Sequence, residues 1–268
     1  MPSVARPIGV FDSGVGGLTV ARVLIERLPR EEIVYFGDTA NVPYGDKSRE
    51  ELISFGSRIC RFLVEQGAKI IVAACNTSSA VSLDTIQEFI PVPIVGMIRP
   101  GVRRALEVTR NRKVGVLATE ATTRSGAFPR IIRQLDPEIE VYVQSCPRLV
   151  PLVEAGRLNG TETRQACREY LEPLSRGGVD TIILGCTHYP FLLPVLKQSI
   201  SHEVNYIDPA AETVEEVIGR LRAGGLLNPD TDRAPRHRFY ASGPVESFLK
   251  VGRQMVGDLI TEVQQGPV

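Results

Sequence analysis

The sequence predicts an α/β protein of two pseudosymmetric, doubly wound parallel-sheet domains related by internal duplication, with an active site in the cleft between them. Short β-branched runs alternate with longer segments of helical spacing, the pattern of a parallel sheet flanked by helices. The alternation then recurs at a nearly constant interval: Ile33 aligns with Ile139 at an offset of 106, Pro100 with Pro209 at 109 and Cys75 with Cys186 at 111. Constancy over four units reads as a repeat rather than as the common spacing of β/α units.

In the first half, IGVF (8–11), IVYFGD (33–38), KIIVAAC (69–75) and PIVGMI (93–98) read as strands. In the second half, KVGVLAT (113–119), IEVYVQSC (139–146), DTIILGC (180–186) and VNYID (204–208) follow in the same order. The tail carries a helical pattern over 211–223, a Gly-Gly break, a strand-like HRFYASG (237–243) and a last helix, and is expected to pack back on the first half. The expected units are therefore 1–98 with 210–268, and 99–209. In parallel sheets of this kind functional groups gather where strands end and helices begin. Asp12-Ser13, Asp38, Cys75-Asn76-Thr77, Thr119, Cys146 and Cys186-Thr187-His188 all fall there.

Composition narrows the function. The 268 residues suffice for two domains and bury roughly three quarters of the unfolded surface. With 31 basic against 31 acidic residues and five scattered lysines, no basic field favours nucleic acid as the main partner. No stretch approaches the roughly 18 apolar residues of a membrane span, and the N-terminus lacks the apolar core of a signal peptide, so a cytoplasmic location is expected. Five widely spaced cysteines without a C-x-x-C pair predict neither a disulfide framework nor a metal site. A conspicuous cysteine is then either buried packing or a reactive thiol.

The strongest constellation is a matched pair, AACNTSS (73–79) and LGCTHYP (184–190). In both, a hydrophobic strand ends in small residues, then cysteine, then hydroxyl-bearing residues that could open a helix. Free amides and the helix dipole there favour a thiolate, and with the hydroxyls they suit a carboxylate ligand. A single cysteine at a strand end is more often a small buried hydrophobe. Two in equivalent repeat positions reverse that balance.

IGVFDSGVGGLTV (8–20) puts a Gly-rich turn after the first strand, but Gly14, Gly16 and Gly17 miss the third glycine of a dinucleotide fingerprint. Asp12 remains as a carboxylate at the cleft, able to orient an ammonium or hold a thiol's proton, or else a plain helix cap. GDTANVPYGDKS (37–48) presents the Tyr44 hydroxyl and a backbone N–H at Pro43-Tyr44-Gly45, unless it is an ordinary surface turn. His188 lies two residues from Cys186 and can assist that thiol as Asp12 can assist Cys75. Glu154, taken by itself, reads as a solvated helix residue. A G-x-S-x-G elbow, a Walker A loop, HExxH and a clear pyridoxal phosphate lysine are missing from the sequence.

FDSGVGGLTV (11–20), DTANVPYGDKS (38–48), CNTSSA (75–80), CPRLVPLVEAG (146–156) and GCTHYP (185–190) together resemble bacterial glutamate racemase, within the aspartate/glutamate racemase superfamily. The matches run in order over nearly the whole core. The resemblance implies interconversion of L- and D-glutamate for peptidoglycan synthesis, with no metal or pyridoxal cofactor, in an enzyme whose relatives are commonly homodimers. It implies Cys75 and Cys186 as acid/base thiols, Asp12 and His188 as their assistants, and Glu154 as a further acid near the second thiol. Substrate binding is implied for Asp12, Ser13, Pro43, Tyr44, Gly45, Asn76, Thr77, Thr187 and His188, with Thr119 and Thr122 as carboxylate donors. One departure is Ala118, where the family usually has glycine, and its methyl group is expected to tighten the pocket.

Two other readings remain at this level. A racemase for aspartate or another small acid, or a related decarboxylase, would share the scaffold, although a decarboxylase needs only one thiol and aspartate-specific relatives generally carry an acid at the position of His188. A non-catalytic amino-acid sensor would not need both cysteines.

Overall fold

The computed structural model describes residues 4–229 and 234–267. The first half runs β1 (Ile8–Asp12), α1 (Leu18–Arg27), β2 (Ile33–Gly37), α2 (Arg49–Glu65), β3 (Ile70–Ala73), α3 (Asn76–Val81), α4 (Leu83–Gln87) and β4 (Ile94–Gly96). After the crossover helix α5 (Ile98–Val108), the second half runs β5 (Lys113–Ala118), α6 (Glu120–Ser125), α7 (Ala127–Leu135), β6 (Glu140–Ser145), α8 (Leu149–Glu154), α9 (Thr161–Gly177), β7 (Thr181–Gly185), α10 (Leu193–Gln198) and β8 (Asn205–Ile207). The tail adds α11 (Ala210–Ala223), β9 (Arg238–Ala241), α12 (Val245–Val256) and β10 (Gln264–Gln265).

All pairings between these strands are parallel, in two sheets ordered β10-β9-β2-β1-β3-β4 and β6-β5-β7-β8. The stretches β2-β1-β3-β4 and β6-β5-β7-β8 repeat one order, as the recurring sequence interval predicts. Both sheets are covered on both faces, which is why their strands read as continuous apolar runs. Val10, Tyr35 and Val72 point into one core with α1, α11 and α12, while their neighbours Phe11, Val34 and Ile71 point into another under α2. Leu117 and Ile182 face α8, α9 and α10; Val116 and Ile183 face α5 and α7.

Three local expectations change. β10 is additional: Gln264 and Gln265 are exposed and polar, so no hydrophobic pattern announces them. The segment after Cys186 opens no α-helix at Thr187; a 3-10 turn over Tyr189–Leu192 intervenes before α10, where Pro190 and Pro194 withhold the amides a regular helix would use. The Ala118 methyl lies in the core of the second sheet and is absent from the lining of the cleft cavity, because strand alternation turns it toward α5 and α7.

Candidate active site

The carboxyl ends of β1, β3, β5 and β7 converge on a cavity of about 220 Å³ that receives residues from both sheets. Cys75 is the N-cap residue of α3 and Cys186 directly follows β7; both thiols line the cavity and both are free. Ser13, Pro43, Tyr44 and Gly45 line it from the first half, with Asn76 and Thr77; Thr119, Thr187 and His188 line it from the second. Asp12, Thr122 and Glu154 stand just behind this lining.

The polar groups meet in three clusters. In the first, Cys75 Sγ lies 3.8 Å from Ser13 Oγ. Burial, followed by the nearby Asp12 carboxyl, pushes the Cys75 thiol up to about 12, against a backbone hydrogen bond from Ser78 that favours the thiolate. Asp12 does not bond the sulfur. Its Oδ1 accepts from Gly14 N at 2.9 Å and its Oδ2 from Thr187 Oγ1 at 3.1 Å, so the acid of the first half is tied to the loop of the second. Burial raises the Asp12 pKa, opposed by His188 and by these hydrogen bonds. The N-cap of α1 is Gly17, so Asp12 is not a helix cap.

In the second cluster, Cys186 Sγ lies 3.6 Å from His188 Nδ1, and His188 Nε2 lies 2.6 Å from Glu154 Oε1. Burial pulls the imidazole pKa down, but the bonds to Cys186 and Glu154 outweigh it and leave His188 well above the ordinary histidine value. Glu154, which reads locally as a solvated helix residue, is three-quarters buried on this imidazole. No local signal could have found that pairing.

In the third cluster, Thr77, Thr119 and Thr122 form a triangle of hydroxyls with edges of 2.9, 3.0 and 3.2 Å across the two halves. Thr119 also caps α6 by accepting from Thr122 N. Beside them Asn76 is buried with both ends of its amide unpartnered. A buried amide without partners is costly, so this one is set to receive a polar ligand.

The Tyr44 hydroxyl differs from its expected role. It donates to Asp38, which Ser242 and Asn41 also hold, so the ring lines the cavity while the hydroxyl is already engaged. A phenol 2 % exposed needs such a partner. Just downstream, Ser48 and Glu51 cap α2 reciprocally and fix the end of this loop.

The Gly-rich turn also acquires a reason. A Cβ on Gly16 would stand 2.5 Å from Thr187 Oγ1 and 2.8 Å from His188 Nδ1, and one on Gly14 would stand 3.0 Å from Glu154 Oε1. Only a bare backbone lets the first half approach the polar groups of the second this closely. The sequence shows the glycines but not their partners, which lie at least 140 residues away. Cys146, at the end of its strand, also lines the cavity, and Asp46, Glu120, Pro147 and Val150, which the sequence does not single out, complete the lining.

Two thiols from matched strand ends line one cavity, and the sequence profile of Asp/Glu/Hydantoin racemase matches residues 8–217. The chain belongs to this family. It is an enzyme of the amino-acid racemase class. Among similar members, the glutamate racemase of Geobacter metallireducens is 45% identical over 260 residues, covering 97% of this chain and 96% of the relative. The crystal structure of glutamate racemase isoform RacE1 from Bacillus anthracis superimposes with a TM-score of 0.91 at 38% identity, covering 98% of this chain and 97% of that one. The glutamate racemase of Francisella tularensis, solved in complex with D-glutamate, gives 0.90 at 37% identity, with 98% and 96% covered. Among the described residues, no helix of this racemase is long and apolar enough to cross a membrane, and no group of three His, Cys, Asp or Glu is placed to hold a metal ion.

Proposed function

We propose that this chain is a cofactor-independent glutamate racemase that moves the α-proton between Cys75 and Cys186 and supplies D-glutamate for peptidoglycan. The observation that carries the reading is the pair of thiols at corresponding ends of β3 and β7, lining one cavity with the unpartnered Asn76 amide between the sheets. Relatives named glutamate racemase support the choice of substrate.

Racemisation removes a very weakly acidic hydrogen from one face of the α-carbon and returns a proton to the other. One sulfur must be a base while the other is an acid. Cys75, whose pKa burial pushes up to about 12, starts as the thiol, and the His188 imidazole stands 3.6 Å from the Cys186 sulfur. In that state Cys186 takes the proton from L-glutamate and Cys75 delivers one to the opposite face; D-glutamate is handled by the reverse assignment. Asn76, Thr77, Thr119, Thr122 and Thr187 donate to the substrate carboxylates, with Ser13 and the Gly45 loop beside them. Developing charge at the α-carbon is held by these fixed donors in a site closed to water. Closure brings the unit made of 1–98 and 210–268 against 99–209 around the substrate. The reading carries with it a cytoplasmic homodimer.

The test is incubation with L-glutamate, and in parallel L-aspartate, in heavy water. Deuterium at the α-carbon with decay of optical rotation for glutamate alone is the expected outcome. Exchange confined to aspartate overturns the substrate, and saturable glutamate binding without exchange overturns the enzymatic reading in favour of a sensor.

A further inference from the structure

Tyr35 reads in the sequence as one apolar member of β2, and it is completely buried. Its hydroxyl donates to the Gly14 carbonyl at 2.8 Å. Gly14 is the residue on which both halves of the proton-transfer apparatus lean. Its N–H holds Asp12 Oδ1 at 2.9 Å, and its Cα faces Glu154, the carboxylate that bonds His188. The carbonyl and the N–H of Gly14 belong to successive peptides that share its Cα, so a shift of that Cα would disturb the Asp12 hydrogen bond and the close approach to Glu154 together. The phenol bonded to the carbonyl limits that shift.

Tyr35 is itself held by the tail. Phe239 on β9 and Phe248 on α12 pack against its ring, with centroids 6.2 and 6.0 Å away. Burial, together with the charges of Asp12, Cys75 and Glu154, raises the Tyr35 pKa well above the usual phenol range, so the hydroxyl remains a donor. Local propensity alone would let phenylalanine fill this strand position. What phenylalanine cannot supply is the bond to Gly14.

We propose that Tyr35 is a positioning residue for the racemase reaction: its hydroxyl anchors the Gly14 carbonyl and so the place of the Gly14 Cα, whose N–H holds Asp12 and which faces the Glu154–His188 pair, while Phe239 and Phe248 of the C-terminal segment hold the phenol in place. The inference rests on the function proposed above, and the experiment separates the two. Wild-type enzyme is assayed first in both directions. If it does not racemise glutamate, the functional reading fails; if it does, the variants test Tyr35.

Tyr35→Phe lowers kcat about 10- to 100-fold in both directions with KM within about twofold, because misoriented groups slow chemistry more than binding. It also displaces the pH profile of kcat, since the environments of Asp12 and His188 change together. A merely structural tyrosine would lower the melting temperature and the titratable thiol content while leaving kcat per active site and the pH profile as in wild type, and that result overturns the proposal. Phe248→Leu keeps the hydroxyl but loosens its support, and gives a smaller kcat loss with the same displacement. Should Tyr35→Phe fail to fold, Phe248→Leu decides alone: a wild-type kcat and pH profile there overturns the proposal.

Discussion

The two thiols stand at equivalent ends of β3 and β7, yet their surroundings are different. Cys75 opens a short α-helix, close to Ser13, and burial, followed by the Asp12 carboxyl, pushes its thiol pKa up. Cys186 precedes a 3-10 turn and meets an imidazole whose pKa is raised by its bonds to the Cys186 sulfur and to Glu154. Duplication supplies a symmetric frame, and the residues flanking each strand end give the two sulfurs different neighbours. The cross-cleft bond from Thr187 to Asp12 links the two sides, because the donor belongs to the second loop and the acceptor to the first.

The largest effect that probes this contrast is removal of either sulfur. Cys75→Ala and Cys186→Ala each lower racemisation by about a thousandfold or more, measured by circular dichroism with both enantiomers, as expected for loss of an essential acid or base. Full activity in either variant would falsify the two-base assignment.

Next in size is the imidazole pair. Glu154→Gln lowers kcat for L-glutamate about 10- to 100-fold and moves the alkaline limb of the profile to lower pH, because the neutral amide no longer supports the His188 proton. Enantiomers have equal free energy, so kcat/KM must fall equally in both directions, and any difference between the thiols appears only in kcat and KM taken separately. Stability follows the same titration. A His188 pKa raised in the folded state stabilises the fold fully below the ordinary value of 6.5, and that contribution disappears as the pH rises through the folded value. The gap in melting temperature between wild type and His188→Gln is therefore widest near pH 6 and narrows under alkaline conditions; a constant gap would remove the cationic imidazole from the scheme.

Asp12 tests the first side, where the substitution shifts stability in the opposite direction. Its pKa is also raised, but here the ionised form is the costly one: stability is full below the ordinary value of 3.8 and declines as the pH rises through the folded value. Asp12→Asn consequently melts at or above the wild-type temperature at pH 8 while losing activity, and the difference closes in acid. A melting temperature well below wild type at pH 8 would contradict this.

The smallest effect on activity belongs to Ala118→Gly. Loss of a buried methyl and the added backbone freedom cost about 1–2 kcal/mol, or roughly 2–6 °C of melting temperature, with KM unchanged. A lowered KM would return the methyl to the pocket.

The sequence made the frame legible because buried parallel strands leave a dense apolar trace, as at Ile70–Ala73 and Thr181–Gly185. It also made the thiols legible, through their repeat positions. Contacts between distant segments were not legible. Glu154 reads as solvated because nothing within a turn of it points to His188, and Tyr35 reads as core because its partner is the carbonyl of Gly14. The engagement of the Tyr44 hydroxyl is hidden for the same reason: Asp38, its acceptor, is held by Ser242 from the far end of the chain.

That distant anchoring matters while the polypeptide is still emerging from the ribosome. The strands of the second sheet are all made between residues 113 and 207, so its hydrogen bonding can close as soon as that segment is synthesised. The first sheet cannot. β2 is made early, but its outer neighbour β9 follows about 200 residues later. Until then the nascent chain exposes an open strand edge and an uncovered aromatic surface around Tyr35, both sites for association with the wrong partner. A chain released before residue 238 would carry every residue of the two thiol motifs and still present an adhesive edge.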